Sequence, residues 1–241
     1  YLEGGVFRLT LDKVRDIGHL GGTMLGSTNK GNPLHFPTRM PDGTTHEIDR
    51  SGEILEYFAR KELDALVSIG GDGSLTIADA LHKKGLRVVG VPKTVDTDLD
   101  TPYTTGGFDA AVSFATECLE RLHSTAESHQ RIMVVEVMGR YAGWIALHAG
   151  IAGGAHAILI PEIAYDLDKV VAKIAEREKE GRAYTLVVVA EGAVPKEGAR
   201  ALVAPSEIGH AERLGGVGEQ VGHALAERTG KDTRVVVLGH L

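Results

Sequence analysis

The sequence predicts an α/β protein built from doubly wound, mainly parallel sheets. Short runs of aliphatic and β-branched residues alternate along the chain with segments whose apolar residues recur every three to four positions. Glycine or polar motifs follow the apolar runs repeatedly, as they do at the carboxyl ends of parallel strands. This alternation favours sheets that are covered by helices on both faces.

Local signals fix the individual elements. One helix begins after a glycine-rich turn, where Ser74 is a suitable N-cap, and ends at Gly85. Lys83 and Lys84 fall in its last turn, where positive charge is favourable. We predict strands at 63–69, 86–91, 131–137, 155–160, 184–190 and 234–238, helices at 74–84, 108–124, 142–152, 167–180 and 218–228, and an exposed loop at 35–49.

The composition is that of a folded globular protein, with 43% hydrophobic and 24% charged residues among 241. A net charge of −7 argues against binding to nucleic acid. No apolar run approaches the roughly 20 residues of a membrane helix, and no secretion signal is visible. The single cysteine, Cys118, excludes an internal disulfide and fits a reducing compartment. We therefore expect a cytoplasmic protein that binds neither nucleic acid nor membranes.

A glycine-rich turn, Gly70-Gly71-Asp72-Gly73-Ser74, lies between a predicted strand and a predicted helix. Glycines let the backbone approach phosphate oxygens closely, and a helix N-terminus offers N–H groups to an anion. Asp72 is a candidate to hold Mg²⁺ that bridges such phosphates. The alternative is an ordinary tight turn in which Ser74 caps the helix. Neither a Walker A pattern nor the catalytic loop of protein kinases is present.

A second polar motif follows the next predicted strand. It places Lys93 and Thr94 beside two carboxylates, Asp96 and Asp98. One carboxylate could deprotonate a hydroxyl while the other helps to bind Mg²⁺. The alternative is a solvated acidic loop. A calcium-binding loop is excluded by the residues at its sixth and twelfth positions.

Charged residues mark the ends of further strands. In the turn Met138-Gly139-Arg140, the arginine could brace a phosphate or a developing charge. Glu191 could accept hydrogen bonds from sugar hydroxyls. Taken alone, Arg140 is better explained as a surface residue after a glycine turn and Glu191 as a carboxylate that caps a strand end. The eleven histidines show no zinc-site spacing. Further candidate phosphate ligands are Arg131, Arg234 and His240.

Taken together, these motifs resemble those of the 6-phosphofructokinase family. The resemblance covers nearly the whole chain, and it implies a phosphofructokinase-like fold of two α/β lobes with the active site between them. It implies a donor-phosphate-binding lobe at 1–108 without its N-terminal strand, and a sugar-phosphate-binding lobe at 109–241 without its C-terminal part. The matching motifs, in order, are Gly70–Ser74, Pro92–Asp98, Ser128–Arg131, Met138–Arg140, Pro161-Glu162, Glu191-Gly192 and Arg234 with Gly239-His240.

The resemblance implies transfer of a phosphoryl group from ATP to the 1-hydroxyl of fructose 6-phosphate, with Mg²⁺ as cofactor. Asp96 matches the base that takes the hydroxyl proton. Thr94 matches a residue that contacts the sugar and the transferred group, and Arg140 matches a residue that steadies the transition state. Asp72 and Asp98 match acidic residues at the metal. The phosphate loop of the donor matches Gly71, Asp72, Gly73 and Ser74, with Lys93 nearby.

Other matches concern the sugar phosphate and the assembly. Glu191 matches an acceptor for sugar hydroxyls, and His240 matches a ligand of the sugar phosphate. Arg131 and Arg234 match arginines that are lent across a subunit interface to the 6-phosphate, which implies a homodimer or homotetramer. The residues that match the substrate site are Thr94, Asp96, Arg131, Met138, Gly139, Arg140, Glu191, Arg234 and His240.

Two positions bear on the phosphoryl donor. Gly73 is typical of ATP-dependent relatives, whereas pyrophosphate-dependent ones usually carry aspartate there. Lys93 is common in pyrophosphate-dependent members but also occurs in ATP-type members. We therefore expect ATP, with a pyrophosphate-dependent phosphofructokinase as the alternative. A non-catalytic, sugar-phosphate-binding regulatory homologue is a further alternative. A lipid or NAD kinase would have a similar glycine-rich loop but would not explain Thr94–Asp98, Met138–Arg140 and Glu191.

Overall fold

The computed structural model describes residues 6–28, 31–98, 104–204 and 212–240. These residues form the predicted α/β fold and group into two compact units. The first unit comprises the described residues up to Ile69 together with Gly73–Val91, and the second comprises Gly70–Asp72 and the described residues from Pro92 onward. The predicted lobe boundary at 108/109 falls within the second unit, so the assignment of donor and sugar lobes stays a prediction.

The first unit contains the helices and strands up to residue 91, except for residues 70–72. Apolar residues of the helix 51–60, at positions 54, 57 and 58, lie on one helix face and pack with Leu81 in a small core. The elements are α1 (Leu11–Val14), β1 (Phe36–Arg39), β2 (Thr45–Ile48), α2 (Ser51–Arg60), β3 (Leu66–Gly70), α3 (Asp72–Lys83) and β4 (Val88–Pro92), with β3 paired to β4.

The prediction of an exposed loop at 35–49 is wrong, because β1 and β2 form an antiparallel hairpin there. Asp42 Oδ1 accepts hydrogen bonds from the Thr44 N–H at 2.9 Å and from the Thr44 hydroxyl at 2.6 Å. The Met40 N–H donates to the Thr44 carbonyl at 2.8 Å and closes the turn. Pro41, Asp42 and Gly43 are typical turn residues. They dominate the composition of the segment and conceal two strands of four residues each.

The second unit is built around a four-stranded parallel sheet with the strand order β10-β5-β7-β6. A short antiparallel pair, β8 and β9, lies outside it. None of the helices in the described part of the chain is long and apolar enough to span a membrane. The elements are α4 (Phe108–His129), β5 (Ile132–Val137), α5 (Trp144–Ala152), β6 (Ala157–Leu159), α6 (Leu167–Lys179), β7 (Thr185–Ala190), β8 (Leu202–Ala204), β9 (Arg213–Leu214), α7 (Val217–Thr229) and β10 (Thr233–Val237).

The two central strands are buried along their whole length. All six residues of β5 and all six of β7 are buried, because helices cover both faces of the sheet. This explains why these strands are continuous apolar runs rather than alternating ones. Ile132, Val134, Val187 and Val189 pack with α6 and α7 on one face, and Val135, Val137, Val188 and Ala190 pack with α4 and α5 on the other.

Glu136 is the charged residue within β5, and it has a structural role. Its side chain is buried and accepts hydrogen bonds from the Gly216 N–H at 3.2 Å and the Gly218 N–H at 2.7 Å. These N–H groups belong to the start of α7, where a helix has no internal acceptors and favours negative charge. The carboxylate therefore caps α7 from the sheet.

The strand directions divide the predicted site residues between two edges of this sheet. Because the four strands are parallel, their carboxyl ends share one edge. The segments 138–140, 191–192 and 239–240 directly follow β5, β7 and β10 and lie at that edge. Arg131 precedes β5 and Arg234 is the second residue of β10, so both lie at the opposite edge.

A cluster of His123, His156 and Tyr184 packs against the second unit's core. The three rings meet edge to face, with centroid distances of 5.5 to 6.3 Å. The Leu186 N–H donates to His156 Nδ1 at 2.8 Å, which requires that nitrogen to be unprotonated. Burial, and secondarily the charge of Arg177, lower the pKa of His156 from 6.5 to about 4. The native protein therefore holds this imidazole neutral.

We predict that the free energy of unfolding decreases between pH 6.5 and pH 4. In this window the unfolded chain protonates His156 and the native chain does not, so the unfolded state binds more protons and stability falls as the pH falls. Between pH 6.5 and pH 5 the loss is at most about 2 kcal/mol, at about 1.4 kcal/mol per pKa unit, and the partial exposure of the imidazole to solvent reduces it. Urea unfolding at pH 7.5 and pH 5 measures it.

The variant His156→Asn, whose side chain keeps an acceptor and does not titrate, should weaken this pH dependence. His223→Asn is the matched control, because the His223 side chain is 79% exposed on α7 and lies 3.2 Å from Glu227 at the surface. Equal pH dependence in wild type and His156→Asn would contradict the assignment.

Candidate active site

A cavity of about 360 Å³ opens within the second unit at the carboxyl edge of the sheet. Polar residues of the predicted site line this cavity together with apolar residues, most of which no sequence motif predicts. The glycine and polar residues of the lining are Gly71, Lys93, Thr94, Asp96, Gly239 and His240, and the apolar residues are Val95, Ala111, Phe114, Ala115, Val137, Met138, Ile145 and Leu238.

The segment after β4 is folded so that its polar groups contact one another. The Lys93 N–H donates to the Gly70 carbonyl at 2.8 Å. The Thr94 hydroxyl donates to Asp96 Oδ2 at 3.2 Å, and the Asp96 N–H donates to Thr94 Oγ1 at 3.2 Å. A side chain at Gly71 would touch Thr94, with its Cβ 3.5 Å from the threonine Cβ. The segment thus holds Thr94 and Asp96 as one unit beside the glycine turn.

Asp96 and Asp98 are carboxylates with incompletely satisfied oxygens. Asp96 is only 7% exposed, and Oδ1 of each residue is buried without a hydrogen-bond partner among the described residues. Burial raises the pKa of both side chains. The charge of Asp98 adds to the rise at Asp96, and that of Asp72 adds to the rise at Asp98. Such oxygens are poised to accept a proton or to bind a cation.

Arg140 supplies the opposing charge. Its guanidinium lowers the pKa of both Asp96 and Asp98, against the effect of burial. The residue has a left-handed backbone with φ of +50°, a conformation that residues other than glycine rarely adopt and that is enriched at functional sites. The side chain of Arg140 therefore shares one electrostatic environment with the two carboxylates.

Two contacts hold the Arg140 backbone in this conformation. The Arg140 N–H donates to Glu191 Oε1 at 2.9 Å. A Cβ added to Gly192 would lie 1.8 Å from the Arg140 carbonyl oxygen, so the backbone after β7 approaches the turn after β5 as closely as only glycine permits. One oxygen of Glu191, predicted to accept sugar hydroxyls, is thus engaged by the turn, and its charge also raises the pKa of Asp96.

The same turn is fixed at its other end. A Cβ on Gly139, with φ of +143°, would lie 2.3 Å from the Ala142 carbonyl oxygen. The Gly143 N–H donates to Glu162 Oε1 at 2.8 Å just before α5 begins. The turn 138–143 is therefore rigidly attached to the segments after β6 and β7.

The glycine turn leads directly into α3. Asp72, Gly73 and Ser74 form the first turn of this helix, whose N–H groups have no acceptor within the helix. A Cβ added to Gly73 would meet no atom within 4 Å. These features suit an anion at the helix N-terminus, as the sequence predicts, and the open space at Gly73 is compatible with a bulky donor.

The structure separates Arg131 and Arg234 from this cavity. Both arginines lie at the opposite edge of the sheet and pair there with Asp232, with Arg234 Nη1 2.6 Å from Asp232 Oδ1. The other seven predicted substrate residues, by contrast, lie at the carboxyl edge: Thr94, Asp96, Met138, Gly139, Arg140, Glu191 and His240.

The residue types present fit a magnesium ion. Among the described residues, no group of three or more acidic, histidine or cysteine side chains could hold a metal ion by itself. Mg²⁺ is usually bound through one or two carboxylates together with substrate phosphates and waters. Asp98, with its unpartnered buried oxygen, and Asp72, whose charge acts on it, provide such a pair.

We predict that Gly192→Ala reduces the free energy of unfolding by about 3 kcal/mol or more, since overpacking against backbone cannot relax by rotation of a side chain. Urea denaturation measures the loss. Gly52→Ala is the matched control: Gly52 lies in α2, with open space at its Cβ, and the change should be neutral or stabilising. Equal stabilities of the two variants would contradict the close approach.

A phosphofructokinase family model matches residues 2–241. The ATP-dependent 6-phosphofructokinase 1 of Nostoc sp. is 49% identical over 98% of this chain and 64% of its own length. The pyrophosphate–fructose 6-phosphate 1-phosphotransferase of Amycolatopsis mediterranei is 46% identical over 100% of this chain and 67% of its own length. The crystal structure of Pichia pastoris phosphofructokinase in the T-state has a TM-score of 0.73 at 31% identity, over 96% of this chain and 24% of that one.

The chain spans less than two thirds of the length of the Nostoc relative. The match of the family model nevertheless extends over almost every residue, and the identities approach one half. The predicted family and fold class are thereby confirmed. This chain belongs to the phosphofructokinase family.

Proposed function

We propose that this protein transfers the terminal phosphoryl group of ATP to the 1-hydroxyl of fructose 6-phosphate, giving fructose 1,6-bisphosphate. The observation that carries the proposal is the buried Asp96, with an unpartnered oxygen in a cavity that also holds Lys93, Thr94 and His240. The names of the relatives support the same chemistry. A cytoplasmic location, expected from the sequence, is part of this proposal.

In the proposed reaction Asp96 is the general base. Its carboxylate accepts the proton of the 1-hydroxyl while the oxygen forms a bond to the γ-phosphorus, and the bond to the β-phosphate oxygen breaks to release ADP. Burial raises the pKa of Asp96, which makes its carboxylate a better proton acceptor than a solvated one. Thr94 donates to the other carboxylate oxygen and so keeps the acceptor oxygen oriented.

Positive groups offset the charge of the transferring phosphoryl group. The charge of Arg140, whose backbone is held by Glu191, lowers the pKa of both Asp96 and Asp98. On the resemblance, the N-terminal N–H groups of α3 are assigned to the phosphates of ATP. Asp72 and Asp98 would hold Mg²⁺, which when bound neutralises phosphate charge. Gly71, Gly73, Ser74 and Lys93 are assigned to the donor site on the resemblance.

The sugar is assigned to the carboxyl edge of the parallel sheet. Met138, Gly139, Glu191 and His240 follow β5, β7 and β10 and are proposed to bind it there. Arg131 and Arg234 are proposed to serve the 6-phosphate in a neighbouring subunit of a homodimer or homotetramer. Their location at the opposite edge supports this assignment, because they do not line their own chain's cavity.

ATP is the proposed donor. Gly73 leaves open space beside the first turn of α3, which supports a nucleotide rather than the smaller pyrophosphate. One relative is named for pyrophosphate, and Lys93 is shared with that class, so pyrophosphate is the second candidate.

The donor is tested by incubating the purified protein with fructose 6-phosphate, Mg²⁺ and either ATP or pyrophosphate. Formation of fructose 1,6-bisphosphate is followed by ³¹P NMR. Activity with pyrophosphate alone would contradict the proposed donor. Binding of fructose 6-phosphate by calorimetry without turnover with either donor would favour the non-catalytic homologue.

We predict that Asp96→Ser lowers kcat by roughly 10²-fold or more, the scale of lost general-base catalysis, while the KM for fructose 6-phosphate changes little. Steady-state kinetics measure both constants. Asp64→Ser, at an exposed position of the first unit, is the control and should leave kcat unchanged. An unchanged rate in Asp96→Ser would remove this carboxylate from its proposed role.

A further inference from the structure

Tyr141 is an exposed aromatic residue with charged neighbours. Its side chain is 43% exposed, so burial in the core does not account for its position. The ring lies near two guanidinium groups, with Arg140 Cζ 5.5 Å and Arg200 Cζ 4.9 Å from its centroid. A guanidinium within about 6 Å of an aromatic centroid is attracted by the ring's electron density. The ring thus lies beside the side chain of the arginine whose charge acts on Asp96.

Hydrogen bonds fix this ring in place. The Tyr141 hydroxyl donates to Glu212 Oε1 at 2.8 Å, and Arg200 Nη1 lies 3.9 Å from the same oxygen. Arg200 Nε in turn donates to the Gly192 carbonyl at 3.1 Å. Gly192 is the residue whose backbone abuts the Arg140 carbonyl. A continuous series of contacts therefore links the Arg140 side chain, through Tyr141, Glu212 and Arg200, to Gly192, which packs against the Arg140 backbone.

The Arg140 side chain needs such support. Glu191 and Gly192 fix only the backbone of this residue. An arginine side chain has several freely rotating bonds, and holding it in one conformation costs about 2 kcal/mol of entropy. A guanidinium that moved away would leave the buried oxygens of Asp96 and Asp98 without the positive charge that favours their ionised forms.

We propose that Tyr141 is a positioning residue, which holds the guanidinium of Arg140 toward Asp96 and Asp98 while Glu212 and Arg200 hold the tyrosine ring. The expected effect on kcat rests on the proposed function. The expected effect on the mobility of the Arg140 side chain rests on the contacts of Tyr141. No sequence motif indicates it, because Arg200 and Glu212 are about 60 and 70 residues away from the turn.

The kinetic test uses Tyr141→Leu and Tyr141→Phe. Leucine removes the ring, and kcat should fall about 10-fold while the KM for ATP stays within about two-fold. Phenylalanine keeps the ring and loses only the bond to Glu212, so most of the activity should be retained. In an Arg140→Ala background, Tyr141→Leu should cause no further loss. An equal loss with and without Arg140 would overturn the proposal.

A second measurement does not depend on activity. Relaxation of the ¹⁵N-labelled Arg140 Nε–Hε group should show a more mobile side chain in Tyr141→Leu than in wild type. Trp144→Leu is the matched control, an exposed aromatic three residues away whose loss should leave both kcat and this mobility unchanged. Unchanged Arg140 mobility in Tyr141→Leu overturns the proposal. If the wild type transfers no phosphoryl group, the proposed function fails, and the relaxation data still decide the role of Tyr141.

Discussion

Two carboxylates with buried oxygens, together with the charge of one arginine, set the requirements for the second unit. Asp96 and Asp98 each keep an oxygen without a partner among the described residues, and burial disfavours their ionised forms. A buried charge costs several kcal/mol unless an opposite charge is held close to it. Arg140 supplies an opposite charge that lowers the pKa of both side chains, and its left-handed backbone is held by the hydrogen bond to Glu191 and by close packing against Gly192. The surrounding fold must therefore fix one turn very accurately.

Three glutamates of the second unit meet this need by binding backbone N–H groups. Glu191 accepts from Arg140, Glu162 from Gly143, and Glu136 from the start of α7. Each joins a loop at the carboxyl edge to a neighbouring segment, and none needs to be a reacting group to do so. Because these bonds form in the folded chain before any ligand arrives, the site requires little reorganisation during a reaction.

The sequence predicts the buried core better than the edges of the fold. The apolar runs of β5 and β7 predict these strands correctly, since burial on both faces leaves Glu136 and Thr185 as their only polar residues. The hairpin at 36–48 is missed because its turn residues outnumber its strand signals. The residues that follow each strand are also predictable, since parallel strands bring their ends together. The contacts of Tyr141 are not, because they join turns that are remote in sequence and have no periodicity.

Strand direction also separates the charges of the chain into two groups. Arg131 and Arg140 flank the six residues of β5, a length of about 20 Å at 3.3 Å per residue. Asp232 holds Arg131 and Arg234 side by side at the amino edge, and the carboxylates and Arg140 lie at the carboxyl edge. One sugar phosphate cannot reach both groups of the same chain. If the paired arginines bind a 6-phosphate, as we propose, they must do so for another subunit, and turnover then depends on association of the chains.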